Sequence, residues 1–142
     1  AQGKLEVRKW EETYLRDGHF DQHRMIETLL KMLDPANNPP GKISRNIASM
    51  SWALEDRPGV NDIVEYEARL NQTLPAQHDP VVCTYDLSQF DASVVIDIMR
   101  THPMVIIGGI LQENPFYVPA DQILQELEAR RASANAPTEV TG

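Results

Sequence analysis

Residues 81–109 constrain the fold more than any other segment, because two short apolar runs flank a stretch of helical length. The runs at 81–85 and 104–107 are rich in β-branched residues and too short for helices. This order of strand, helix and strand predicts a βαβ unit and therefore a parallel sheet. Sites in such sheets lie at the carboxyl ends of strands, which is where Cys83 and Tyr85 are found.

The rest of the chain continues this alternation of strands and helices. Asp21 and Asp91 are predicted to cap two of the helices, and Pro119 to begin the last one. Strands are predicted at 5–10, 43–50, 81–85 and 104–111, and helices at about 22–33, 60–74, 92–102 and from 120 onward. The strand at 104–111 is apolar on both faces, as expected of a central parallel strand between helical layers.

These elements predict an α/β fold of three layers, α-β-α, around a mostly parallel sheet of about four or five strands. At 142 residues the chain is long enough to bury a core of its own and is expected to form one domain. We expect this domain to span residues 1–132. Residues 75–80 would link a helix to the third strand, and residues 133–142 would form a disordered tail or a linker.

Charge and composition exclude several classes of partner. The chain has 13 basic and 21 acidic residues, a net charge of -8, and no run of Lys or Arg, so no direct contact with nucleic acid is expected. No apolar run reaches the length of a membrane span, and residues 1–10 lack the apolar core of a signal peptide. We therefore expect a cytoplasmic protein without membrane contact. The single cysteine, Cys83, excludes an internal disulfide and a multi-thiolate zinc site.

The predicted helix at 60–74 places two polar residues, Glu67 and Asn71, on its apolar face. A buried carboxylate must be hydrogen-bonded, paired with a cation or protonated, because an unpaired buried charge is very costly. The candidate cations are Arg57, Arg69 and Arg100. The alternative is that Glu67 lies at the margin of this face and reaches solvent.

Five separated segments form a recognisable set: MSWALEDRPGV at 50–60, EYEARLN at 65–71, VVCTYD at 81–86, RTHPMVIIGG at 100–109 and ENPFYVP at 113–119. Together they resemble the MEDS domain, a sensory domain of methanogens and methylotrophs. The resemblance covers about residues 3–130. It implies a bacterial or archaeal cytosolic signalling domain that senses small hydrocarbon derivatives and is joined to regulators, kinases or anti-sigma-type modules. It implies no enzymatic activity.

The same resemblance implies a further strand and helix before Ala1, so we expect the chain to be a carboxyl-terminal portion of the domain. The family is similar in pattern to the RecA and KaiC ATPase core, but no phosphate-loop motif occurs in this sequence. ATP hydrolysis by this chain is therefore not expected. An absent early strand would leave a sheet edge unpaired, which predicts self-association.

Two chemical hypotheses involve Cys83 and His102. A thiol nucleophile with a histidine base is disfavoured, because an apolar strand raises the pKa of a thiol, and no catalytic residue is predicted. A metal centre of His102, Cys83 and Glu67 has ligand types that suit zinc or iron, but the spacing matches no metal motif. His19 and His23 are separated by the predicted cap at Asp21. No metal or cofactor is therefore predicted.

The favoured hypothesis is a small-molecule pocket lined by Trp52, Cys83 and Tyr85. Its polar contacts would come from Glu67, Asn71 and His102, since ligand pockets are mostly apolar with a few placed polar groups. The signal would pass to a regulatory protein or a fused output domain. The alternative is a ligand-free protein interaction module in a kinase or anti-sigma pathway.

Overall fold

The computed structural model describes residues 4–74 and 79–137. Four helices and four strands alternate with short 3₁₀ turns. They are α1 (Gln22–Leu33), β1 (Asn46–Ser49), α2 (Ile63–Thr73), β2 (Val81–Thr84), α3 (Ala92–Arg100), β3 (Met104–Ile107), β4 (Ile110–Glu113) and α4 (Ala120–Ala134). None of the helices in these residues has the length and apolar character that crossing a bilayer requires.

The parallel pair of the fold is β1 with β2, and Ala48 lies opposite Cys83 in its register. Helix α2 connects the two strands, so the βαβ unit is β1-α2-β2. The predicted βαβ unit at 81–109 is wrong, because the strand at 81–84 pairs with β1 and not with the strand at 104–107. The α2 helix also packs against α1, α3 and α4. This position makes α2 the central helix, and a residue on its inner face lies close to the parallel strands.

The predicted central strand at 104–111 is wrong. Strands β3 and β4 form an antiparallel hairpin in which Ile107 pairs with Ile110. The turn consists of Gly108 and Gly109, with φ of +58° and +78°. Positive φ at both central residues is typical of a two-residue hairpin turn, and glycine adopts it without steric cost. The chain therefore reverses and pairs locally instead of joining the parallel strands.

Other predicted strands are shorter or missing. Residues 4–9 form no strand, and their alternation of apolar and polar residues is imperfect. Leu5 and Val7 are exposed, because no neighbouring strand among the described residues pairs with this segment. The predicted strand at 43–50 is reduced to β1. The described residues form two separate two-stranded sheets, so the three-layer arrangement of four or five strands is not confirmed.

The two predicted helix caps differ. Asp21 caps α1, and its carboxylate accepts hydrogen bonds from the backbone N–H groups of His23 and Arg24. Asp91 occupies the equivalent position before α3, but its side chain makes no capping hydrogen bond. The helix-start signal is thus correct in both places, whereas the capping interaction forms only at α1.

Parts of two predictions fall outside the described residues. These are positions 75–78 of the predicted link and positions 138–142 of the predicted tail. Helix α4 extends to Ala134. The division of the chain at residue 132 remains a prediction.

An aromatic cluster forms the centre of the core. Trp52, fully buried, stacks on Tyr14 with ring centroids 4.8 Å apart. Phe20 lies against Trp52 and meets Tyr66 edge-on at 5.3 Å. Gly59 approaches this cluster so closely that a Cβ would clash with the carbonyl oxygen of Phe20. Its φ of +85° also favours glycine.

Candidate functional site

Glu67 is the buried polar centre of the fold. Its residue surface is only 2% exposed, because α2 turns this side chain inward with the apolar residues of the same face. The inward orientation predicted from helical periodicity is therefore correct, and the alternative of a solvent-exposed carboxylate is wrong. Burial of this carboxylate requires that neighbouring groups satisfy its oxygens.

Three side chains from two other parts of the chain surround the Glu67 carboxylate. Its Oε1 accepts a hydrogen bond from the hydroxyl of Tyr85. Its Oε2 lies 3.7 Å from Sγ of Cys83 and 3.4 Å from Nε2 of His102. Cys83 lies on β2, Tyr85 follows it, and His102 lies just after α3. We call Glu67, Cys83, Tyr85 and His102 the Glu67 cluster.

The predicted arginine partners of Glu67 are wrong. Arg69 binds Glu65 at 2.9 Å, and Arg100 binds Glu126 at 2.9 Å. Within residues 4–74 and 79–137, His102 alone brings a group able to carry positive charge within 4.0 Å of the Glu67 carboxylate. The periodicity identified the buried acid, but it carried no information on which distant residue would face it.

Backbone contacts determine the orientation of His102. Its Nδ1 lies 2.9 Å from the carbonyl oxygen of Ile98 and 2.8 Å from Oγ1 of Thr101. Because a carbonyl oxygen only accepts hydrogen bonds, Nδ1 carries a proton. The hydroxyl of Thr101 donates its own proton to the same carbonyl, so its oxygen is free to accept from Nδ1. Consequently Nε2 is the ring nitrogen that faces Glu67.

The cluster shifts the pKa values of its members. Burial alone would lower the pKa of His102, but the hydrogen bond and negative charge of Glu67 outweigh it and raise that pKa above its usual value. Burial raises the pKa of the Cys83 thiol, and the adjacent Glu67 carboxylate raises it further. Burial likewise raises the pKa of Tyr85. The cluster therefore favours a neutral thiol and a charged imidazole.

Three side chains of the Glu67 cluster belong to residue types that commonly bind metals. A carboxylate oxygen of Glu67, Sγ of Cys83 and a ring nitrogen of His102 all lie within 4.8 Å of one another. The spacing of these residues in the sequence gave no sign of this arrangement, because each ligand comes from a different element.

The other two predicted site residues lie outside the cluster. Asn71 donates a hydrogen bond from its amide to the carbonyl oxygen of Thr101, the residue before His102. Trp52 belongs to the aromatic core, and its Nε1 has no hydrogen-bond partner among the described residues. The structure thus brings together four of the six predicted residues and places Asn71 behind His102.

Sequence reasoning missed Asn114, which holds the loop of His102 from the other side. Its amide nitrogen lies 2.9 Å from the carbonyl oxygen of His102 and 2.6 Å from that of Met99. The side chain is largely buried although it follows an exposed strand. The sign in the sequence was that Asn114 lies in ENPFYVP at 113–119, one of the five segments on which the family resemblance rests.

Two of the grooves on the described surface have volumes of about 310 and 260 Å³, and neither is lined by the six predicted residues. The larger, of about 310 Å³, lies near the carboxyl ends of β1 and β2. Phe90 lines it and meets Tyr85 edge-on with ring centroids 5.3 Å apart. Tyr85 therefore connects this groove with the buried carboxylate of Glu67.

Comparison with known proteins gives one match. No curated protein and no solved structure matches the chain. The likeness to the RecA and KaiC core therefore has no support. A family model described as the methanogen/methylotroph, DcmR sensory domain matches residues 1–103, which include the whole Glu67 cluster and end before β3. The chain belongs to this MEDS family of sensory domains.

Proposed function

We propose that this chain senses a small molecule at the Glu67 cluster and passes the change to a protein partner. One observation carries the proposal: a carboxylate that is only 2% exposed is surrounded by three proton donors and by no Lys or Arg among the described residues. Buried polar networks of this kind contribute little to stability compared with apolar packing, so their presence favours a functional role. The membership in a sensory family agrees with that role.

A ligand reaches the cluster most directly from the side of His102, whose side chain is 25% exposed. A small polar group that replaces one of the hydrogen bonds to Glu67 would change the preferred position of the imidazole. A ligand shifts an equilibrium only if it binds one arrangement better than the other. The two arrangements proposed here differ in whether Nε2 of His102 contacts Glu67.

The route from the site to a partner passes through the backbone of residues 101–102. Asn71 holds Thr101 from α2, and Asn114 holds His102 from the base of the β3-β4 hairpin. We infer that movement of the imidazole reaches the hairpin through this backbone segment. No catalytic role is proposed for Cys83, because burial raises the pKa of its thiol and a thiol is a poor nucleophile.

Thermal unfolding with a panel of short-chain alcohols, aldehydes and amines tests the proposal. We expect at least one class to raise the Tm of the wild type and to lose this effect in Glu67→Gln and His102→Gln. Glu27→Gln, at an exposed position on α1, is the matched control and should retain the effect. Stabilisation that persists in both cluster variants would reject the Glu67 cluster as the sensing site.

A second candidate function, a ligand-free interaction module, is favoured by the β3-β4 hairpin. Ile106, Ile107, Ile110 and Leu111 are each more than half exposed. The two strands pair only with each other in the described residues, so their outer edges keep unpaired backbone groups. An exposed edge with apolar side chains favours strand pairing with another chain. We propose that a second copy of this chain pairs there, because two-fold symmetry lets one edge serve both partners.

Light scattering on the wild type at micromolar concentration tests this second candidate. We expect a dimeric mass for the wild type and a monomeric mass for Ile106→Lys. Ile96→Lys is the control, because Ile96 is 59% exposed but lies on α3. A monomeric wild type, or a dimer that Ile106→Lys leaves intact, would overturn self-association through the hairpin.

A further inference from the structure

The Glu67 cluster contains one sulfur, one nitrogen and one oxygen ligand in mutual proximity. The distances from Oε2 of Glu67 are 3.7 Å to Sγ of Cys83 and 3.4 Å to Nε2 of His102. We infer that these three residues bind a divalent transition-metal ion, with Zn²⁺ as the ion that suits them best. This inference deepens the proposed sensing function and rests on it, because the ion would be the group that the sensed molecule contacts.

The distances agree with the size of a zinc site. Metal–ligand bonds of about 2.0 Å to nitrogen and oxygen and about 2.3 Å to sulfur place ligand atoms roughly 3.3 to 3.5 Å apart in a tetrahedral site. Both distances from Oε2 lie within a few tenths of an ångström of that range. The three ligand atoms lie within 4.8 Å of one another, so small side-chain adjustments bring all three to one ion.

The environment of His102 is that of a metal ligand. Histidines that bind metals almost always donate their second N–H to a carbonyl or carboxylate, which determines the tautomer and holds the ring. Here Nδ1 makes that contact with the carbonyl oxygen of Ile98 at 2.9 Å. In the charged ring, Nε2 also carries a proton, which lies toward the carboxylate of Glu67. Loss of that proton leaves a lone pair at the same place, and a metal ion can then replace the proton between the two groups.

The ligand set selects the kind of ion. Thiolate and imidazole favour zinc and other transition metals, whereas Mg²⁺ and Ca²⁺ prefer sites made of oxygen ligands. The carboxylate of Glu67 and the thiolate of Cys83 together neutralise a divalent charge. Binding breaks the S–H bond of Cys83, forms the metal–sulfur bond and releases the proton to solvent. A proton carried by Nε2 of His102 is released in the same way.

Three protein ligands leave one coordination position open. Sites with three protein ligands hold water or a small molecule in the fourth position, unlike closed structural zinc sites. The partly exposed side of His102 gives access to that position. A small molecule with an oxygen, nitrogen or sulfur donor would replace the water there, which defines the chemical class of the sensed ligand.

Metal titration of the whole chain, after treatment with a chelator, tests the inference. Co²⁺ is the spectroscopic probe, and we expect one ion per chain with a thiolate-to-cobalt charge-transfer band in the near ultraviolet. Cys83→Ser should lose that band. Zn²⁺ affinity, measured by calorimetry, should fall at least about tenfold in His102→Gln and Glu67→Gln. His23→Gln, at an exposed position on α1, is the control and should bind as the wild type does.

The result that overturns the metal site is a wild type without the charge-transfer band, or Zn²⁺ affinity equal in the wild type and the Cys83→Ser and His102→Gln variants. Circular dichroism shows whether each variant folds, and Cys83→Ser changes one atom, so it serves if Glu67→Gln does not fold. Zn²⁺ binding without any small-molecule stabilisation would support the metal site and overturn the proposed ligand sensing. Small-molecule stabilisation of a chain that binds no metal would overturn the metal site and support sensing.

Discussion

Nε2 of His102 lies 3.4 Å from Oε2 of Glu67, and this contact joins the central helix α2 to the turn that follows α3. On the opposite side of the ring, Nδ1 contacts the carbonyl oxygen of Ile98. Asn71 and Asn114 donate hydrogen bonds to the backbone carbonyls of residues 101 and 102. The contact therefore couples a buried acid to the base of the β3-β4 hairpin. It is the physical link between the proposed sensing site and the proposed contact surface.

The first prediction concerns the buried charge of Glu67. Glu67→Gln keeps the size of the side chain but buries an amide N–H₂ next to groups that are themselves donors. We expect a loss of about 1 to 3 kcal/mol in the free energy of unfolding, measured with urea. Glu27→Gln, at an exposed position, should change it by less than about 0.5 kcal/mol. Equal stability of the two variants would contradict the polar network described here.

The second prediction compares the two helix starts. Asp21→Ala removes the hydrogen bonds to the N–H groups of His23 and Arg24 and should cost about 1 kcal/mol of unfolding free energy. Asp91→Ala removes no capping hydrogen bond and should lower the unfolding free energy by only a few tenths of a kcal/mol. Chemical unfolding of both variants checks the difference. Similar losses would show that Asp91 also caps its helix in solution.

The third prediction is a pH dependence caused by Glu65. Burial alone would raise the pKa of Glu65, but hydrogen bonds from Arg131, Arg69 and Gln22 outweigh it and lower the pKa from 4.5 to about 2. Since the folded pKa lies below the unfolded one, the stabilisation is complete above about pH 4.5 and is lost as the pH falls toward 2.

Unfolding free energies measured between pH 5 and pH 2 check this prediction, with pH values chosen around the two pKa values of Glu65. The wild type should lose more stability over this interval than Glu65→Gln, whose side chain does not titrate. Parallel curves for the two proteins would show that these hydrogen bonds do not stabilise the charged form.

The fourth prediction concerns the close approach of Gly59 to Phe20. Gly59→Ala forces a Cβ against the carbonyl oxygen of Phe20 at a positive φ and should cost at least about 2 kcal/mol. Gly41 has a similar φ of +79° but open space around it. Gly41→Ala should therefore cost only about 1 kcal/mol, because it pays for backbone strain alone. Thermal unfolding of both variants checks this difference. A larger loss of Tm in Gly41→Ala than in Gly59→Ala would contradict the prediction.

Features that depend on residues close together in the sequence were predicted more accurately than features that depend on distant residues. The start of α1 at Asp21, the strand at 81–85 and the inward face of Glu67 follow from local patterns, and all three agree with the structure. The predicted parallel partner of that strand, at 104–107, is wrong, because its actual partner is β1. The run at 104–111 was misassigned, because an exposed apolar hairpin and a buried strand have the same composition. The glycines at 108 and 109 carried the distinguishing information, since their positive φ values reverse the chain.

Local patterns in the sequence predicted which segments form helices, where α1 begins, and which side of α2 is buried, because these features depend on residues within one or two turns of each other. The packing of the elements in space brings Cys83, Tyr85 and His102 to Glu67. It also pairs Arg69 and Arg100 with other acids. Such contacts join residues far apart in the chain. Their partners are set by how α2, β2 and α3 pack, and no local pattern encodes that packing.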